Sequence, residues 1–161
     1  MSDERFSGEH NCVDSLFITS LSFLNRLNML RHVFATILGA VSGAFAVGLV
    51  EWGSSLLHPM PDGIDLHDQE GLSEWVRTLP WTAFAMLLVA WGLGCFVGGW
   101  VARRLAPGRG RTPAWIVVSL LTIATASNLV MLPHPNWMWP AGMLVCIFFG
   151  WCGIVVSARG S

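Results

Sequence analysis

Pro80–Ala102 reads PWTAFAMLLVAWGLGCFVGGWVA, 23 residues without a charge, and Arg103-Arg104 follow at once. A bilayer's hydrocarbon core is about 30 Å thick and takes roughly 20 apolar residues as a helix. This stretch is therefore long enough to cross, and the arginines mark where it leaves. Working outward, three more stretches have the same character: Val33–Val50, extending intermittently to Leu57, then Pro113–Leu132 and Pro140–Ser157. Backbone groups in lipid must bond within their own segment, and the runs are continuous instead of alternating, so helices are expected and a β-barrel is not. The predicted fold is all-α, a polytopic membrane protein. Four transmembrane helices (about 33–57, 80–102, 113–132 and 140–157) form an up-down bundle over residues 31–158.

Composition agrees. The 161 residues are 53% apolar and only 12% charged, with a mean hydropathy of +0.57. That is about half the charge of an average soluble domain, which excludes a disordered chain. A net charge of −1 with no basic stripe excludes nucleic acid as a partner. The lipid bilayer is the expected partner.

Proline punctuates the spans. Pro80, Pro113 and Pro140 suit first helical turns, Thr112 suits an N-cap, and Pro59, Pro61, Pro133 and Pro135 fall just beyond span ends. Arg26, Arg31, Arg103, Arg104, Arg109, Arg111 and Arg159 fall on one side of this threading and Arg77 on the other. The positive-inside rule then places both termini in the cytoplasm. Trp52, Trp75, Trp81, Trp137 and Trp139 belong near the outer boundary and Trp100 and Trp115 near the inner one, whereas Trp91 and Trp151 are central and expected to pack. All nine basic residues are arginine and tyrosine is absent, a codon bias that suggests a bacterial cytoplasmic (inner) membrane.

Residues 1–30 form a different, cytoplasmic segment, polar at first and then weakly amphipathic. It reads as an interfacial helix, or the protein starts instead at Met29, just before Leu30-Arg31.

Lipid supplies no hydrophobic drive for helix association, so small residues must allow close packing. Span one offers Ala35, Gly39 and Gly43, with Ala40, Ala44 and Gly48 on the adjoining strip. Span two offers Ala90, Gly94, Gly98 and Ala102, and span four Gly142, Cys146 and Gly150. Packing within the bundle is the expected use. A homo-oligomer or another membrane protein is the alternative partner for these faces.

Polar candidates gather at the outer end. Glu51 is the only acidic residue in a span-like stretch, on one helical face with Ser54 or Ser55 and His58. Asn128 lies about 6 Å inside the end of span three, and His134 follows that span. An ionisable residue in a membrane suggests a functional site, with His58 and His134 as candidate partners for Glu51. The same three residues are the candidate metal ligands. The outer connection adds Asp62, Asp65, His67, Asp68, Glu70 and Glu74, without EF-hand spacing, H-E-x-x-H or paired CxxC. Leu72, Trp75, Val76 and Leu79 make 68–79 a short amphipathic outer helix. Cys12, Cys95, Cys146 and Cys152 form no framework, no catalytic motif is present, and no cofactor is expected. Leu57-His58-Pro59 and Pro133-His134-Pro135 echo each other, as two hairpins related by an axis along the membrane normal would.

The region Met29–Ala158 resembles small four-span bacterial integral membrane proteins. The features that carry this are the Gly-rich first span ending in Glu51, the His58-Pro59-Met60-Pro61 turn, Gly94–Gly99, and Asn128 followed by Pro133-His134-Pro135-Asn136-Trp137. The resemblance implies topology and no activity. The expected role is accessory or structural, without catalytic chemistry. The alternatives are an oligomeric transport or permeation unit with a polar path at Glu51, Asn128, His58 and His134, and an outer-face metal-binding or enzymatic membrane protein.

Overall fold

The computed structural model describes residues 3–59, 69–132 and 134–159. Its elements, in chain order, are α1 (Asp3–Leu57), α2 (Gln69–Thr78), α3 (Trp81–Leu105), a 3-10 turn (Pro107–Arg109), α4 (Thr112–Met131) and α5 (Met138–Arg159). No strand occurs among the described residues. Among the described residues four helices are long and apolar enough to cross a membrane: α1 over Phe23–Leu57, α3, α4 and α5. The fold is an all-α polytopic bundle.

Helix ends follow local chemistry, with small departures from expectation. Pro80 is the residue before α3, extended at ψ 157°, and not its first helical residue. Thr112 is the first residue of α4 and Arg111 precedes it without a side-chain cap, so Pro113 fills the first turn but Thr112 is not the N-cap. Gly108 turns the α3–α4 link at φ +58°, a left-handed conformation that other residues rarely adopt. The α1 helix passes residue 30 without a break. The contrast between residues 1–30 and the remainder of α1 is one of composition, not secondary structure.

The bundle is not a closed square. α3 packs against α1, α4 and α5, and α4 against the same two flanking helices, whereas α1 and α5 are not packed neighbours. α3 and α4 are thus the central pair. The hairpin echo would map the α3–α4 contact onto an α1–α5 contact, so the two halves are not symmetric in packing.

Small residues make these contacts possible. A Cβ on Gly39 would lie 2.6 Å from Ala102 Cβ and 2.9 Å from Gly98 O; one on Gly43 would lie 2.8 Å from Gly94 O. The α1–α3 crossing is therefore backbone on backbone, formed by Gly39, Gly43, Gly94 and Gly98. The α3–α5 crossing uses Gly99 and Gly153, a Cβ on the latter falling onto Phe96 O. Gly150 faces Val118 of α4. Gly48 differs: a Cβ there would meet nothing within 4 Å.

The core has two parts. Phe84, Trp91, Cys95, Leu129, Met138 and Cys146 pack at the histidine end, with Val76 of α2 laid against them. Ala102, Ala114, Val117, Val118 and Ile154 pack at the arginine end. Trp91 is buried, as a packing residue should be, but Trp151 is 50% exposed on the bundle's outside.

Candidate functional site: a cavity at the histidine end

The apolar face of α2 is short, so it covers the bundle end without filling it. Beneath it lies a cavity of about 400 Å³ between α1, α3 and α4. α1 contributes Glu51, Ser54, Ser55 and His58; α3 contributes Ala83, Phe84, Met86 and Leu87; α4 and its end contribute Asn128 and Leu132. Trp75, Val76 and Leu79 form the roof, and His134 closes one side. Glu51, His58, Asn128 and His134, scattered over 84 positions of sequence (51 to 134), line one space.

Each is positioned by its own element. Glu51 lies six residues, about 9 Å, before the end of α1 at Leu57, at the cavity rim and still exposed on one side. His58 follows the last residue of α1: its backbone N–H donates to Ser54 O at 2.9 Å, and Nε2 lies 3.3 Å from Thr82 Oγ1. Its Nδ1 is buried without a partner. The His134 backbone N–H donates to Leu132 O at 2.8 Å, and ring Nδ1 lies 2.9 Å from the same oxygen. That tight turn folds the imidazole back over Phe84 and Trp91, at centroid distances of 6.1 and 6.3 Å.

The polar character of α4 resolves into satisfied and unsatisfied groups. Thr122 and Ser127 donate to the carbonyls of Val118 and Ile123, four residues back, at 2.7 and 3.0 Å. Thr125 Oγ1 contacts Cys146 Sγ at 3.4 Å. Asn128 Oδ1 alone among these is buried with no partner. A buried acceptor without a donor costs about 1–3 kcal/mol, which asks for a ligand or an ordered water.

A second cavity of about 260 Å³ shares Glu51 and Asn128 with the first and continues toward mid-bundle along Ala44, Gly48, Thr125 and Cys95. Below it Leu121, Gly43, Gly94 and Gly98 approach closely. The two cavities adjoin at Glu51 and Asn128, and Ala44, Gly48 and Ala124 along the second are exposed on the bundle's outside.

Some residues do not enter this arrangement. Among the described residues no three His, Cys, Asp or Glu side chains gather as a metal-holding set. Glu51, His58 and His134 share a cavity wall without forming a coordination sphere. Glu70 and Glu74 are on α2, while Asp62, Asp65, His67 and Asp68 lie outside the described residues. Cys95 and Cys146 are buried free thiols in the core at the histidine end.

Two contributions were not anticipated from sequence. Phe84 and Met86 lack any polar signal, and their part depends on which face of α3 opens. Arg103, read as the start of the short loop after span two, is instead in α3 and 8% exposed, and Nη1 donates to Ile154 O at 2.5 Å while Nε has no partner. It pins α3 to α5 at the end opposite the cavity. By contrast Arg104 sits over the Trp100 ring at 5.4 Å, as interface residues do.

No protein family, curated protein or solved structure matches the chain.

Proposed function

We propose that the protein is a multi-pass bundle of a bacterial cytoplasmic membrane that binds a small molecule in a vestibule at its outer end, without catalytic machinery. In this reading both termini and the arginine-rich end face the cytoplasm, as the arginine distribution favours. The observation that carries it is the gathering of Glu51, His58, Asn128 and His134 around one cavity, with Asn128 Oδ1 buried and unpartnered. A purely structural bundle gains nothing from such a group; replacing it with an apolar side chain would pack better.

Transport is the second reading. The deeper cavity favours it, since it carries the polar lining about one helical turn further, from Asn128 to Thr125. The backbone-close packing of α1 on α3 at Gly43, Gly94 and Gly98 makes binding the simpler function of this conformation.

The test is access. Ser54→Cys, on the cavity wall, should react in intact cells with a membrane-impermeant maleimide applied from outside, whereas Leu121→Cys, at the floor, should not. If Ser54→Cys reacts only after the membrane is disrupted, the outward-opening vestibule is wrong.

A further inference from the structure

The lining of the cavity also specifies what kind of molecule it takes, an inference that rests on the vestibule reading above. Beside the Ser54 and Ser55 hydroxyls, which can donate or accept, the lining presents a set of acceptors. Asn128 Oδ1 is a buried acceptor without a donor. Glu51, when ionised, can only accept. A neutral imidazole has one acceptor nitrogen, and His58 Nδ1 is also buried and unpartnered. Among the described residues no Arg lines either cavity to answer the Glu51 carboxylate. A carboxylate at membrane depth needs a proton or a cation beside it.

The rest of the wall is apolar and aromatic. Trp75 and Phe84 face the larger cavity and Trp91 the deeper one. Aromatic faces attract a cation, most strongly where water is excluded. A bare metal ion would need several donors in one sphere, and no such set exists among the described residues. An anion would meet Glu51 directly. A neutral apolar molecule would leave Asn128 Oδ1 and Glu51 unanswered.

We propose that the cavity binds a protonated primary amine carried on a small aromatic or aliphatic body. The ammonium donates to the Glu51 carboxylate and Asn128 Oδ1, and the body packs against Trp75, Phe84 and Leu87. Glu51 stands at the rim, exposed on one side, so such a molecule can enter with its charged end leading toward the carboxylate.

The experiment uses the full chain in lipid nanodiscs and three probes titrated by calorimetry: phenethylammonium, benzyltrimethylammonium and 2-phenylethanol. Phenethylammonium should bind saturably, one per chain. 2-Phenylethanol, lacking charge, should bind at least about tenfold more weakly, the scale of one charge-assisted hydrogen bond. Benzyltrimethylammonium keeps the charge but has no N–H, and should also bind more weakly than phenethylammonium. Glu51→Gln should cost phenethylammonium about tenfold or more and leave 2-phenylethanol unchanged. Asn128→Leu, which preserves the carboxylate, should weaken phenethylammonium and leave benzyltrimethylammonium unchanged. Equal affinity for the alcohol and the ammonium, or unaltered ammonium binding in both variants, overturns the proposal. Phenethylammonium should also protect Ser54→Cys from the impermeant maleimide. Labelling that proceeds unprotected overturns the ammonium inference and leaves the vestibule standing; absence of labelling removes the vestibule itself.

Discussion

Asn128 and Arg103 are two buried polar residues with opposite consequences. Asn128 Oδ1 has no partner inside the bundle, so its desolvation is uncompensated when the cavity is empty. Asn128→Leu removes that cost, and its expected effect on thermal unfolding in detergent is neutral to stabilising, by up to about 2 kcal/mol. A loss of stability of that size would mean the amide is satisfied in the empty protein, contrary to the geometry. Arg103 has a partner, the carbonyl of Ile154, and its stem is packed between α3 and α5. Arg103→Ala loses both, and should destabilise by about 2–4 kcal/mol, from a charged hydrogen bond together with lost packing. Melting curves of the two variants side by side check the difference in sign. Asn128 thus carries an unsatisfied group against the interest of stability, the pattern expected of a residue kept for binding.

At the scale of the element, α1 shows how far small-residue spacing can be read. Gly39 and Gly43 recur four apart, and so do Gly94 and Gly98, and the structure crosses these two pairs backbone to backbone. The adjoining strip has the same spacing but a different fate, because Ala44 and Gly48 line the deeper cavity. Spacing places residues on one helix face and says nothing of what stands opposite, so packing strip and cavity strip look alike in sequence. Substitution separates them. Gly94→Leu drives a side chain into Gly43 and Val47, and overpacking of this kind costs about 1–3 kcal/mol or more when the obstacle is backbone. Gly48→Leu meets open space, and should be neutral or gain about 1 kcal/mol of helix propensity. Size-exclusion profiles and melting temperatures should therefore show a damaged Gly94→Leu and an intact Gly48→Leu. Equal damage at both positions would place Gly48 in a contact that the bundle does not show.

At the scale of the whole molecule, the spans were legible because charge is nearly absent from them and dense between them. The convergence of Glu51, His58, Asn128 and His134 was legible only as a common level in the bilayer. What turned a level into a cavity was the wedge between α1, α3 and α4 under α2, and that depends on helix pairing, which periodicity does not encode. Arg103 was illegible for a related reason: it opens a run of arginines, and nothing in the run tells which one turns inward. The same arginines now support a prediction about the complete chain. Arg31, Arg103, Arg104, Arg111 and Arg159 lie toward one end of the bundle and Arg77, on α2, toward the other. Four crossings would bring the chain's two ends to the same side, and the arginine excess should hold that side in the cytoplasm. A fluorescent protein fused after Ser161 should therefore fold and fluoresce, and alkaline phosphatase at the same position should be inactive. Phosphatase inserted within 60–68 should be active, because the end of α1 before it and α2 after it both line the cavity. The reverse pattern would turn the vestibule to the cytoplasm. Phosphatase activity at both positions would require an even number of crossings between them, against the odd number that α3, α4 and α5 supply.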